Sequence, residues 1–332
     1  MLPLREGDEG EAVADVRRRL GTLSLDSDAD PPGVFGPGTR AAVEAFQHRR
    51  GLRIDGVVGP QTWNTLVEAG FAHLGDRFLY RRNPMLRGDD VAELQQRLCA
   101  LGFDTGRVDG IFGDQTSAAL GEFQRNAGLP TDGILGAATL RELRRVEARH
   151  PVDELVSTVR EDERLRRASP TLGGRHLAIG EAGGLGATVA AVRRRLVFAG
   201  AQVTSLHHPD GSAQAAEANA SGADVYLAVR LDPDAKGCAS AYYAGYRSES
   251  PGGRRLAEAV QREVPKALDL PDLGCRGMSL PVLRETRMPA VIIEVGPAAA
   301  VVERGSALAR AIVASLEEWA KASAGDDTAA GG

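Results

Sequence analysis

Carboxylate and imidazole groups that could hold a metal ion are concentrated in the second half of the chain. Glu181 and Asp232 each follow a short apolar run, and His207 and His208 form an adjacent pair after another. A zinc site requires three or four such ligands around one point. Because neither carboxylate has a second histidine at ligand spacing, the pattern alone does not predict a metal site. The histidine pair is typical of a surface loop.

A glycine-rich segment from Gly180 to Gly186 suggests a second chemistry, the binding of a dinucleotide. It lies between a predicted strand and a predicted helix, where such loops occur. Its glycine spacing is not G-x-G-x-x-G, however, and the next strand ends at His207 instead of an acid for the ribose hydroxyls. The segment therefore argues against nucleotide binding, and no serine or cysteine has the surroundings of a catalytic nucleophile.

Strands and helices alternate around these residues, which indicates an α/β sheet with helices on its faces. The predicted strands cover 176–179, 201–206, 223–231, 239–244 and 290–295. The predicted helices cover 187–199, 212–221, 253–267 and 306–320. We expect one α/β domain over 175–320, followed by a flexible tail over 321–332.

An internal repeat fills the first 145 residues. The two copies share aromatic, glycine, threonine and aspartate positions in the same order, each pair 77 residues apart. The first copy contains Phe35, Thr39, Phe46, Gln47, Gly51, Asp55, Gly56, Gly59, Thr62 and Leu66. The second contains Phe112, Thr116, Phe123, Gln124, Gly128, Asp132, Gly133, Gly136, Thr139 and Leu143. Such a register indicates two copies of one module.

Each module is predicted to be a bundle of three short helices. Val13, Val16 and Leu20 form the apolar stripe of a first helix, and Phe46 lies on a second. Thr62 is placed as an N-cap for the third. The modules should cover 1–70 and 84–146. A charged linker is expected over 147–174, where seven of eight consecutive residues from Arg160 are charged.

Composition limits the classes of partner. Of the 332 residues 43% are hydrophobic, and the net charge of −5 favours neither nucleic acid nor a membrane surface. The sequence contains no run of 18 apolar residues, so no membrane span is predicted. The acidic start lacks the features of a signal peptide, and three distant cysteines suggest reduced thiols, so we expect a cytoplasmic location.

The repeat resembles the peptidoglycan-binding module of bacterial wall hydrolases, through its F-G-x-x-T, F-Q and G-L-x-x-D-G signatures. The resemblance implies a three-helix fold with a shallow groove for glycan-peptide fragments. It places the turns at Asp55-Gly56 and Asp132-Gly133 near that groove as ligand-binding residues. The same residues would also serve as tight turns alone, and both interpretations stay open at this point.

The α/β half resembles the zinc-dependent N-acetylmuramoyl-L-alanine amidases. The stretches that carry the likeness are 199–204, 216–224 and 288–296. The resemblance implies two histidine ligands, a glutamate ligand and a glutamate base. Here Gly183 and Arg230 stand where the histidines are expected, no acid lies between Gly186 and Ala191, and Glu294 matches the base. We therefore expect no metal or other cofactor, a vestigial Glu294, and an ion pair of Arg230 with Glu294 in place of the metal.

The complete arrangement resembles the CwlM-type amidase homologues of actinobacteria, including an L-x-x-T-R-M-P-like stretch at 283–289. That resemblance implies a non-catalytic regulator of cell-wall precursor synthesis. It would act through a cytoplasmic synthesis enzyme or a flippase, under a Ser/Thr kinase for which Thr328 is a candidate site. Two alternatives remain open: an active amidase with an atypical zinc site, and a wall-binding scaffold.

Overall fold

The computed structural model describes residues 3–25, 29–147, 156–181, 184–232, 235–245 and 248–324. They belong to two compact units. The first comprises Met1–Ser157 with Tyr246–Ser248, and the second comprises Thr158–Gly245 with Glu249–Gly332.

The first unit contains the two predicted three-helix modules. Module 1 is formed by α1 (Glu11–Thr22), α2 (Pro37–Arg49) and α3 (Pro60–Ala69). Module 2 is formed by α4 (Asp89–Ala100), α5 (Asp114–Asn126) and α6 (Ala137–Glu147). The repeated apolar positions are buried in two equivalent cores: Val13, Val16, Leu20, Phe35, Phe46 and Leu66 in one, and Val91, Leu94, Leu98, Phe112, Phe123 and Leu143 in the other. The predicted fold of this half is confirmed, but Thr62 is not the N-cap of α3, because that helix begins at Pro60 after Gly59.

An ion pair joins the two modules within the first unit. Both terminal nitrogens of Arg50, at the end of α2, lie 2.7 Å from the two carboxylate oxygens of Asp89 in the first turn of α4. Both side chains are largely buried. A two-point contact of this kind fixes orientation as well as distance, so it constrains how α2 meets α4.

The second unit is a mixed α/β fold. Its elements are α7 (Val156–Arg167), β1 (His176–Glu181), α8 (Gly186–Phe198), β2 (Gln202–His207), α9 (Gly211–Ser221), β3 (Val225–Leu231), β4 (Gly237–Tyr243), α10 (Pro251–Leu268), β5 (Asp272–Met278), α11 (Pro281–Glu285), β6 (Ala290–Gly296), α12 (Ala298–Glu303) and α13 (Gly305–Ala324). The sheet order is β2-β1-β3-β6-β4-β5. All neighbours are parallel except β4 and β6. The carboxyl ends of β1, β2, β3 and β6 therefore share one edge.

Apolar side chains cover both faces of the sheet. Leu177, Ile179, Val229 and Ile293 pack with residues of α8, α10 and α13 on one face. Tyr226, Ala228 and Ile292 pack with residues of α9 and α11 on the other. Neighbouring residues of a strand thus belong to opposite cores, as strand geometry requires.

Four elements of this unit differ from the sequence prediction: three were not predicted, and one lies in the expected linker. β5, α11 and α12 were not predicted; β5 is mostly exposed and contains Gly274 at φ 79°, so it shows no apolar alternation. The expected linker also contains α7, whose Leu165 is buried in the core. Glu161 of the same helix accepts hydrogen bonds from Ser250 Oγ (2.6 Å) and Gly252 N (2.9 Å) at the start of α10. α7 is therefore part of the second unit.

The end of the second unit differs from the prediction. α13 continues to Ala324, four residues beyond the predicted end of the domain at 320. Thr328 lies outside the described residues. Within the described ranges, no helix has the length and apolar character needed to cross a bilayer.

Candidate functional site

The shared carboxyl edge of the sheet collects four of the candidate side chains in two pairs. Glu181 is in register with His207 of β2, and Arg230 is in register with Glu294 of β6. Glu181 is also in register with Val229, the residue before Arg230. Because side chains alternate along a strand, the Glu181–His207 pair and the Arg230–Glu294 pair lie on opposite faces.

Arg230 and Glu294 bring opposite charges together at the ends of β3 and β6. Nη1 of Arg230 lies 3.6 Å from Oε1 of Glu294. The Glu294 side chain is 11% exposed and that of Arg230 is 44% exposed. The cation thus lies beside the carboxylate that matches the amidase base, and water reaches its guanidinium.

Glu181 is fixed by hydrogen bonds on both carboxylate oxygens. Oε2 accepts the backbone N–H of Leu185 (2.9 Å), immediately before α8, and Oε1 lies 2.9 Å from Nδ1 of His207. Glu181 is buried, whereas the His207 side chain is 56% exposed. The expected surface-loop pair is thus only partly a loop: His207 is the last residue of β2, and His208 follows it, its Nδ1 accepting the N–H of Asp210.

A buried polar network lies beneath this edge, and sequence analysis missed it. Tyr226 Oη donates to Oε1 of Gln214, whose amide nitrogen donates to the carbonyls of Glu181 (2.9 Å) and His208. Burial strongly raises the pKa of Tyr226, so its hydroxyl stays protonated and donating. The network holds the ends of β1 and β2 in place. The only signal in the sequence was a glutamine among the small residues of α9.

The residues at the edge do not fit a zinc ion. Gly183, where one histidine was expected, lies outside the described residues and has no ligating side chain in any case. Arg230, at the other position, brings a positive charge next to Glu294, which disfavours a divalent cation there. Across the residues that the structure describes, no three His, Cys, Asp or Glu side chains are grouped to hold a metal.

The two Asp-Gly turns of the modules are closed by a buried glutamine. Gln47 Nε2 donates to Oδ1 of Asp55 (2.8 Å), and Gln47 Oε1 accepts the N–H of Gly56 (3.0 Å). Oδ1 of Asp55 also accepts the N–H of Val57 (2.9 Å). Gly56 has φ 68°, a backbone conformation that glycine adopts without strain. One carboxylate oxygen of Asp55 is thus committed to the turn.

Module 2 contains two Asp-Gly turns that a buried glutamine closes in this way. Gln124 bonds Asp132 (2.8 Å) and Gly133 (2.9 Å), and the hydrogen bonds from Ile134 N–H and the Gln124 amide hold the pKa of Asp132 below its usual value. Gln95 bonds Asp109 and Gly110 in the same way. Because the turn recurs at a second place in one module, its geometry has a structural purpose that needs no ligand. Ligand binding at Asp55, Gly56, Asp132 and Gly133 stays a prediction.

Comparison with known proteins agrees with this architecture. The peptidoglycan binding domain family matches residues 9–66 and 87–143, and the N-acetylmuramoyl-L-alanine amidase family matches residues 183–303. The N-acetylmuramoyl-L-alanine amidase CwlM of Mycobacterium tuberculosis is 35% identical over 88% of this chain and 81% of its own length. The chain belongs to the CwlM-type amidase family. The resemblance found in the sequence is thereby confirmed.

Other relatives share one part of the chain. The amidase CwlL of Bacillus licheniformis is 31% identical over 42% of this chain and 45% of its own length. The crystal structure of the amidase Ami1 from Mycobacterium smegmatis covers 46% of this chain and 99% of that chain, with 13% identity and a TM-score of 0.40.

The Arg230–Glu294 pair is expected to contribute little to stability. Since Arg230 is almost half exposed, we expect a coupling free energy of about 0–1 kcal/mol in a cycle of Arg230→Ala, Glu294→Gln and the double variant. Urea unfolding would measure it by Trp319 fluorescence in a Trp63→Phe background, which removes the other of the two tryptophans. A coupling of about 3 kcal/mol or more would instead indicate a pair that behaves as buried.

Proposed function

We propose that this member of the CwlM-type family is a non-catalytic, cytoplasmic regulator of cell-wall precursor synthesis. In this proposal the two N-terminal modules bind peptidoglycan or precursor fragments, and the second unit contacts protein partners. The family matches support this proposal, since the chain is an amidase-like protein with two domains of the peptidoglycan binding family.

One observation carries the proposal: the guanidinium of Arg230 lies beside Glu294 at the strand ends. Amidase chemistry at zinc needs a metal-bound water and a carboxylate that takes its proton. By the sequence resemblance Glu294 would be that carboxylate, but its neighbour is a cation that cannot ligate a metal. A base without an activated water does not hydrolyse an amide at a useful rate.

The ligand side of the proposal is supported by the two modules. Each presents an Asp-Gly turn held rigid by a buried glutamine, with one aspartate oxygen committed to that turn. The shallow groove that the family resemblance implies would suit modest affinity for a single polar fragment. Two linked modules raise the apparent affinity when both engage one ligand, because the second contact is made at high effective concentration.

The partner side of the proposal follows from the family. By analogy with the CwlM type, the partners would be a cytoplasmic cell-wall synthesis enzyme or a flippase, with a Ser/Thr kinase as regulator. A phosphate on a residue such as Thr328 would add about −1.5 to −2 charges and three acceptor oxygens, which suits docking onto arginines.

The proposal predicts that the purified protein carries less than stoichiometric zinc and leaves muropeptides intact. Elemental analysis would measure the metal after dialysis against zinc, and mass spectrometry would detect any peptide released from a purified muropeptide. Arg230→His alone is expected to restore neither, since it supplies one ligand where three are needed.

Two results would decide against it. One tightly bound zinc together with release of free peptide would establish the active amidase with an atypical metal site. The scaffold would be favoured by a different result. In that case the protein leaves muropeptides intact and associates with wall material, but with no precursor-pathway protein.

A further inference from the structure

A groove lined by arginines lies between α8 and α13 in the second unit. We name it the α8–α13 groove, and its volume is about 560 Å³. Its lining residues from α8 and its C-cap are Ala191, Arg194, Arg195, Phe198 and Ala199. Those from α13 are Ser306, Arg310, Val313, Ala314 and Glu317.

The side chains of the three arginines of the groove form no ion pair, although Glu317 also lines it. Some exposed arginines of this unit pair with acids, as Arg262 does with Glu318 at 2.6 Å and Arg254 with Glu258 at 3.1 Å. Among the described residues, the guanidinium groups of Arg194, Arg195 and Arg310 have no hydrogen-bond or ion-pair partner. Three arginines and one glutamate give the lining a formal charge of +2, on a chain whose net charge is −5.

A large apolar side chain stands at the same place. Phe198 is 95% exposed at the end of α8. It follows Ala191, Arg194 and Arg195 on one side of the helix, at the spacing of successive turns. Exposed aromatic surface next to unpaired arginines is the composition that protein interfaces favour over the rest of a surface.

We propose that the α8–α13 groove binds an acidic amphipathic helix of a partner protein, with one large apolar side chain inserted between α8 and α13. Its carboxylates would pair with Arg194, Arg195 and Arg310, the donors best suited to two-point contacts with carboxylate. The lining of α13 extends from Ser306 to Glu317, about 17 Å or three helical turns, which a short helix can match. This deepens the proposed function, on which it rests, by giving the partner a binding surface.

A helix in the groove fits these observations better than an anionic membrane. A helix that lies on a bilayer inserts its apolar face, but the apolar face of α8, with Val189, Val192 and Leu196, is already buried in the core. The remaining surface is concave, and a flat bilayer leaves a concavity unfilled. A helix that inserts a side chain can occupy it.

One end of the groove lies far along α8 from the carboxyl edge of the sheet. α8 begins beside Glu181, whose carboxylate accepts the N–H of Leu185. Thirteen residues later the helix ends at Phe198, about 20 Å along its axis.

The test uses the full chain as bait for a random peptide library displayed on phage. Enriched peptides are synthesised with a fluorophore, and their affinity is measured by anisotropy. We expect peptides with net negative charge and at least one large apolar residue. The double variant Arg194→Glu with Arg310→Glu should weaken their binding by about tenfold or more, and added salt should weaken binding to the unmodified chain.

The control is Arg193→Glu, which is compared with the single variant Arg194→Glu. Both make the same charge change on the same helix, but Arg193 lines a different cavity, next to Ser205 and His207. Arg193→Glu should change the peptide affinity by about twofold or less, because Arg193 acts on the bound peptide only through long-range electrostatics, which salt screens. Circular dichroism confirms that each variant is folded.

Several results would overturn the proposal. These are a library that yields no enrichment, enriched peptides that are neutral or basic, and equal loss of binding with Arg193→Glu. Binding of the chain to phosphatidylserine vesicles that the double variant abolishes, without peptide binding, would assign the groove to a membrane. None of these readouts depends on zinc or on muropeptide hydrolysis, so failure here is distinguishable from failure of the proposed function.

Discussion

Replacing Gln47 by alanine is expected to lower the free energy of unfolding of module 1 by about 3–5 kcal/mol. The Gln47 amide is buried and donates to Asp55 Oδ1, to the Val57 carbonyl (3.0 Å) and to Thr62 Oγ1 (3.1 Å). Its oxygen accepts the N–H groups of Asp55 and Gly56. Alanine removes all of these partners at once and leaves buried polar groups without a hydrogen bond, which is the costly case.

The measurement follows Trp63 fluorescence during urea unfolding, in a Trp319→Phe background that removes the tryptophan of the second unit. His48→Ala is the matched control, because His48 is the next residue of α2 and is exposed. It should change the unfolding free energy by about 0.5 kcal/mol or less. Similar effects of the two substitutions would show that the glutamine does not organise the turn.

The repeat allowed the first unit to be predicted almost completely. Residues such as Phe35, Phe46 and Leu66 recur 77 positions later, and apolar residues at helical spacing are usually buried. The role of Gln47 could not be predicted in the same way. Glutamines are mostly exposed. The hydrogen bonds of Gln47 are made to a turn that comes close to it only in the folded module.

The α/β half was predictable where strands alternate with helices and unpredictable where contacts are long-range. The five predicted strands are present. The contact of Glu181 with His207 depends on the register of β1 with β2, which sequence spacing does not give. Similarly, the seven charges from Arg160 to Arg167 are typical of a solvated helix and did not indicate that this helix packs on the core, because the one apolar residue among them, Leu165, makes its contacts with distant residues.

Gly180→Ala is expected to destabilise the second unit by about 2–5 kcal/mol. A methyl group at Gly180 would lie well inside van der Waals contact with Tyr226 Oη and Gln214 Oε1, and 2.8 Å from Tyr226 Cζ. Tyr226 and Gln214 are buried and have little room to move. Displacing them breaks their hydrogen bond and releases the Glu181 and His208 carbonyls that Gln214 holds, so steric and polar costs add.

Gly186→Ala is the control, since the nearest atom to a methyl group there is Glu181 Oε1 at 3.7 Å, an ordinary contact. As the first residue of α8, Gly186 should gain about 0.5–1 kcal/mol of stability from alanine. Trp319 fluorescence in the Trp63→Phe background would report both variants. The double variant Gly180→Ala with Tyr226→Phe should cost less than the sum of the singles, because removing the hydroxyl relieves part of the clash. If Gly180→Ala were as harmless as Gly186→Ala, the network would not be what positions the ends of β1 and β2.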